Sequence, residues 1–180
     1  MSDLLTTLHA ATASVTTIER PSGGFFQIAA WPQTVQSVVA VLEEITGLAV
    51  SIEPGLSVSD DRCCVMAVGP GRFLLQCDSR QRETMLDALQ SGISDALGTI
   101  TDLSFARSCY RLSGEAAALV LAKGMPLDFH QTAFPVNKVV QSAIHEMAIV
   151  VRRVRLNEFD IYVYRSFSEE FLHWLTVASR

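Results

Sequence analysis

Two stretches of this sequence are built alike: two short β-rich runs, a tight turn between them, then a helix with one apolar face. In the first, residues 63–68 and 72–77 flank Gly69-Pro70-Gly71, a strong hairpin signal. After Asp78-Ser79, a candidate cap, Met85, Leu86, Leu89, Ile93 and Leu97 recur at helical spacing up to Gly98. In the second, residues 144–154 and 158–164 are followed by Ser166 to Glu169, which spells a capping box. Phe167, Phe171, Trp174, Leu175 and Ala178 then share one helical face. Met66 and Met147, Phe73 and Phe159, and Ser79 and Ser166 correspond at offsets of 81, 86 and 87 residues. The topology repeats, and the sequence does not.

Each unit has a strand and a helix ahead of it. Residues 25–31 read as a strand, and Val35, Val38, Val39, Leu42 and Ile45 as a helix that starts at Pro32 and stops at Gly47. Residues 48–60 read ambiguously, as a short strand and a loop, and 99–103 are available as a closing strand. In the second half, residues 105–112 read as a strand, and Ser113 as the cap of an Ala-rich helix over 115–122 that stops at Lys123-Gly124. A long irregular connection then passes Pro126 and Pro135. The order β-α-β-β-α is the split β-α-β arrangement of ferredoxin-like domains. The expected class is α+β, with two such halves packed together. The expected domains are an N-terminal arm over 1–24, a first β-α-β-β-α-β lobe over 25–103, and a second β-α-β-β-α lobe over 104–180.

Composition narrows the partners. The 180 residues carry 14 basic and 19 acidic side chains, a net charge of −5, and 49% of them are hydrophobic. Only 18% are charged, against about 25% for an ordinary soluble domain. Disorder needs the opposite balance. An acidic chain also lacks the cation excess that drives binding to nucleic acid, and no nucleic-acid partner is expected. The longest unbroken apolar run, 116–122, has seven residues, where a membrane span needs about twenty. The charge deficit predicts that part of the surface is covered by another chain, since interface cores are depleted in charge. An isolated chain is expected to self-associate, most simply as a homodimer. Cys63, Cys64, Cys77 and Cys109 form no C-x-x-C, and the first residues carry no secretory pattern. A cytoplasmic location with reduced, buried thiols is the expectation.

Catalytic signatures are few. The sequence has no nucleophile elbow, dinucleotide fingerprint or phosphate loop. His145-Glu146 begins a zinc-helix pattern, but Ile149 stands where its second histidine belongs. Asp128 and His130, two residues apart, could share one side of an extended segment as a proton-transfer pair, with a loop hydrogen-bond pair as the alternative. Arg152, Arg153 and Arg155 form the basic cluster. They read as a solvated strand end, or as a surface for an acidic partner or an anionic ligand. No catalytic residue and no metal ligand is assigned.

One stretch carries a family resemblance. The segments Asp102-Leu-Ser-Phe-Ala-Arg107, Leu112-Ser-Gly114, Val120-Leu-Ala-Lys-Gly-Met-Pro-Leu-Asp-Phe-His130 and Phe134-Pro135 resemble the gamma subunit of heterotetrameric sarcosine oxidase. Ala29-Ala-Trp-Pro32, Gly69-Pro-Gly-Arg72, Tyr164-Arg-Ser-Phe167 and Trp174-Leu175 fit the same family. Met125 and Phe105 stand where the family more often has Cys and His. The resemblance implies kinship with the folate-binding aminomethyltransferases (T-proteins) and their two-lobed α+β fold. It also implies a complex with alpha, beta and delta subunits that oxidatively demethylates sarcosine. In that complex tetrahydrofolate takes up the one-carbon unit, and FAD, FMN, NAD and zinc sit on the other subunits, none on this one. Similar subunits serve other N-methyl amine demethylating enzymes, so the amine stays open. Arg107, Lys123, Asp128 and His130, from the family-like segment, are the candidates for a subunit interface or for the wall of a one-carbon cavity. For Lys123 the alternative is a helix C-terminal cation, and for Arg107 and Asp128 a loop-stabilising pair. A stand-alone folate-dependent transferase and a homodimeric ferredoxin-like binding module are the alternatives for the whole chain.

Overall fold

A computed structural model describes residues 15–20 and 23–180. In chain order the elements are β1 (Thr16–Arg20), β2 (Gly24–Ala30), α1 (Val35–Thr46), β3 (Ser57–Ser59), β4 (Cys63–Gly69), β5 (Arg72–Cys77), α2 (Arg82–Gly92) and β6 (Gly98–Asp102). Then come β7 (Arg107–Ser113), α3 (Ala117–Ala122), β8 (Val139–Ile144), β9 (Met147–Arg155), β10 (Glu158–Tyr164) and α4 (Ser168–Ala178). The described chain divides into two compact units, 23–105 and 15–20 with 106–180. The fold is α+β, with one five-stranded antiparallel sheet in each unit.

In the 23–105 unit the strand order is β3-β4-β5-β2-β6. Without the short β3, that is the ferredoxin-like order of a split β-α-β unit. Phe26, Ile28, Val65, Ala67, Phe73 and Leu75 point from the sheet into one core with Val38 and Leu42 of α1 and Met85 and Leu89 of α2. Gly47 ends α1 in the left-handed region, φ 73°, with its N–H on the Glu43 carbonyl, as the sequence predicts. Pro70 and Gly71 turn the β4–β5 hairpin, and Gly71 has φ 62°. Asp78 caps a 3-10 turn, Ser79–Gln81, by accepting from the Arg80 N–H at 3.3 Å.

The second helix is shorter than its apolar spacing predicts. It ends at Gly92, and Ile93 is extended and buried. A side chain at Gly92 would place Cβ 2.5 Å from Val41 Cγ1 of α1, so the helices approach closely there. The chain then turns through a bond from the Leu97 N–H to the Ser94 carbonyl and enters β6 at Gly98.

The other unit has the order β1-β7-β10-β9-β8, the same arrangement as the first. Its outer strand next to β7 is β1, from the N-terminal side of the first unit. This corrects the expected arm over 1–24: residues 16–20 are a strand, held by register with β7 and by Val15 and Thr17, each 1% exposed. Residues 1–14 lie outside the described residues. Three consecutive β-branched residues, Thr16, Thr17 and Ile18, supply the strand signal.

Three further differences have local causes. The irregular connection contains β8, and the long run 144–154 is in fact the end of β8, a turn at His145-Glu146 and β9. His145 takes φ 51° there. Ser113 belongs to β7 and does not cap α3, whose N-cap Ala116 offers no side-chain bond. The Ser166–Glu169 capping box does not form, because a 3-10 turn, Arg165–Phe167, leads into α4 and the Ser168 hydroxyl donates to Ser108 Oγ at 2.9 Å.

A Cβ at Gly98 would sit 2.3 Å from the Ala29 carbonyl oxygen in the paired strand. Backbone cannot step aside as a side-chain tip can, so Gly98→Ala is expected to lower stability by about 2 kcal/mol, read by urea denaturation.

Candidate functional site

Two faces of the β1-β7-β10-β9 sheet separate by alternation. Tyr110, Leu112, Phe159, Ile161 and Val163 enter the core under α3 and α4. On the reverse face, register places Arg111 and Arg152 on either side of Asp160, and Arg107 beside Tyr164. Asp160 is 0% exposed. Arg111 grips it with both arms of its fork, Nε to Oδ1 and Nη2 to Oδ2 at 2.8 Å each, and Arg20 of β1 adds Nη1 to Oδ2 at 3.3 Å. The bonds to Asp160 raise the Arg111 pKa above its ordinary value. This carboxylate joins three strands. Its signal in the sequence was a lone acid inside the apolar run of β10, which alternation places in a buried sheet.

The basic cluster is not a solvated strand end. Arg152 and Arg153 are 4% and 2% exposed, and Arg155 alone is exposed, paired with Glu158 at 2.9 Å. Arg153 donates to the Phe129 carbonyl and packs 4.8 Å from the Phe159 ring centre. It pins the connection that crosses the core after α3. A register shift at the Glu158/Phe159 position separates Arg155 from the pattern of its neighbours.

The four sequence candidates all fall in this unit but make separate contacts. Asp128 accepts from the His130 backbone N–H at 2.8 Å, and the imidazole Nδ1 meets Thr132 Oγ1 at 2.8 Å. The pair is a turn, and the carboxylate does not reach the ring. Lys123 donates to the Ala178 carbonyl, a cation at the end of α4 as well as of its own helix α3. Arg107 does not pair with Asp128. Its guanidinium lies 3.5 Å from the Tyr164 ring centre. Met125 is a core residue, 3% exposed, while Phe105, in the 23–105 unit, is 70% exposed under the Arg82 guanidinium.

The 23–105 unit holds a half-open cleft of about 260 Å³ between the end of α1, the start of β4 and the start of α2. On its rim Arg62 donates to the Thr46 carbonyl and to Asp60, each at 3.0 Å, while the buried Gln81 Oε1 has no hydrogen-bond partner among the described residues. Burial pushes the Cys63 thiol in its wall up to about 11, so this sulfur is protonated at neutral pH and no nucleophile. Among the described residues, no group of three or more His, Cys, Asp or Glu is placed to hold a metal.

The model of the sarcosine oxidase, gamma subunit family matches residues 33–180. The chain belongs to this family. This gamma-family chain is 33% identical over 137 residues to sarcosine oxidase subunit gamma of Corynebacterium sp. strain U-96, a match covering 76% of the chain and 66% of that relative. Among solved structures it is similar to a chain of the heterotetrameric sarcosine oxidase of Corynebacterium sp. U-96 in complex with pyrrole 2-carboxylate. There the TM-score is 0.86 at 30% identity, covering 96% of this chain and 87% of that one. The glycine cleavage system aminomethyltransferase T from Bartonella henselae shares the fold, with TM-score 0.66 at 13% identity, covering 89% of this chain and 45% of that one.

Two outcomes test these charges. Asp160→Asn leaves Arg111 and Arg20 without their carboxylate and is expected to cost about 2–3 kcal/mol in denaturant unfolding. Asp60, which accepts N–H bonds from Cys63 and Arg62, is held from 3.8 down to about 2, first by the Cys63 bond. A lowered folded pKa stabilises above the unfolded value and is lost as pH falls through the folded one. Thermal stability should therefore decline between about pH 4 and pH 2, and Asp60→Asn should flatten that limb.

Proposed function

We propose that the chain is the gamma subunit of a sarcosine-oxidase-type complex and contributes to assembly without carrying its own flavin. The observation that carries this reading is the family match over 33–180, with the 0.86 TM-score to a chain of a heterotetrameric sarcosine oxidase. Its partners would be alpha, beta and delta subunits in the cytoplasm. FAD, FMN, NAD, tetrahydrofolate and zinc would belong to them, and the substrate would be sarcosine or a related N-methyl amine. Among the described residues no helix is long and apolar enough to cross a membrane.

The residues present do not fit a flavin or nicotinamide dinucleotide. Gly69 to Gly71 is a hairpin turn between two strands, whereas a dinucleotide pyrophosphate needs a glycine turn that opens a helix. The histidines and acids of the site serve turns and strand pairing. No catalytic step is assigned to this chain. A stand-alone aminomethyltransferase is less well supported, since the match covers 45% of that protein.

Co-expression with the flavoprotein subunits of a sarcosine-oxidase-type complex should yield a stoichiometric, flavin-containing complex, while the isolated chain is colourless and inert toward sarcosine. A chain that purifies alone from the same cells, turns yellow by itself or oxidises sarcosine unaided would overturn the reading.

A further inference from the structure

Arg107 is a half-buried cation without a counter-charge. Its Nε and Nη1 are buried with no partner, and among the described residues its side chain makes no hydrogen bond or ion pair. Among the described residues its guanidinium meets the Tyr164 ring, 3.5 Å away and opposite it in register. Burial lowers its pKa from the ordinary arginine value. The nearest carboxylate on the same face of β10, Asp160, lies four residues back along the strand, about 13 Å at 3.3 Å per residue. It is already shared by Arg111 and Arg20.

Leaving guanidinium N–H groups dry and unpaired costs stability that the fold does not recover locally. Tyr164 is 38% exposed, so this position opens outward. The ring fixes the plane of the guanidinium and so reduces the entropy lost when it binds. An aromatic-backed arginine of this kind is characteristic of residues that dominate interface energies.

The geometry points to Arg107 and Tyr164 as a preformed receptor for a carboxylate side chain of a partner subunit. The inference rests on the subunit reading above. A planar carboxylate matches one edge of the guanidinium fork with two parallel bonds, so it supplies the charge and the acceptors together. The chain's net charge of −5 makes a local cation without an acid the more distinctive handle for an acidic partner.

The test compares wild type, Arg107→Met, Arg107→Lys and Arg107→Glu in two measurements: affinity for the complex lacking gamma, and Tm of the isolated chain. Arg107→Met and Arg107→Glu should weaken assembly by about 30-fold or more. Arg107→Lys should fall between, keeping the charge but losing the fork. The Tm of the isolated Arg107→Met chain should equal or exceed that of wild type, because no hydrogen bond or ion pair among the described residues is lost and methionine can keep a contact with the Tyr164 ring. Assembly of Arg107→Met at wild-type affinity overturns the receptor, as does a fall in Tm that accounts for its weaker assembly. If inorganic phosphate raises the Tm of wild type but not of Arg107→Met, and assembly is unaffected, the site takes free anions and the partner carboxylate is wrong. Failure of wild type to join the complex defeats the subunit reading itself, and the receptor with it.

Discussion

The Asp160 carboxylate holds the second half of this protein together. It is wholly buried in β10, gripped by Arg111 of β7 and touched by Arg20 of β1. A buried charge is tolerated only when its partners are in place. Those partners fix the register of three strands at once. One of them, β1, comes from the far side of an entire unit in sequence, and strand pairing with β7 alone would leave it an ordinary edge.

That strand explains how two units of one topology arise from unequal sequence. The first unit supplies its own outer strand, β6, after α2. In the second, β1 takes the equivalent place beside β7. The halves also differ in what fills the reverse face of the sheet. In the first it is apolar, with Phe25, Cys64, Met66 and Leu74 all buried; in the second, Asp160, Arg152, Tyr162 and Val150 are buried together. Arginine is suited to this second face because its planar fork can bond a carboxylate or stack on a ring. Arg111 does the first and Arg107 the second.

Much of the fold was legible. The helical spacing from Val35 to Ile45, the Gly47 stop, the Gly69-Pro70-Gly71 hairpin and the face of α4 all follow from local periodicity and turn chemistry. The errors cluster where tertiary contact overrode a local signal. The α2 pattern runs to Leu97, but the helix ends at Gly92 and Ile93 turns extended into the core. Ser166 and Glu169 spell a capping box, but Ser168 is bonded to Ser108 across the unit. For the site, Arg107 and Lys123 were identified as charged members of a family-like segment. Asp160, Arg111 and Arg20 were missed, since the fully buried partner of a salt bridge is known only once strands are paired.

The sequence by itself determined most of the strands and helices, with β1 and β8 the exceptions, together with the α+β class and the family. Hydrophobic period and turn residues are properties of short stretches, and family motifs are read directly from residue order. Tertiary structure alone decided that 16–20 close the second sheet, that Arg152 and Arg153 are buried, and that Arg107 meets a ring while Asp128 meets a backbone N–H. Each of those outcomes depends on which distant strand lies alongside. Pairing of that kind is chosen by the summed free energy of whole faces, which no short stretch of sequence records.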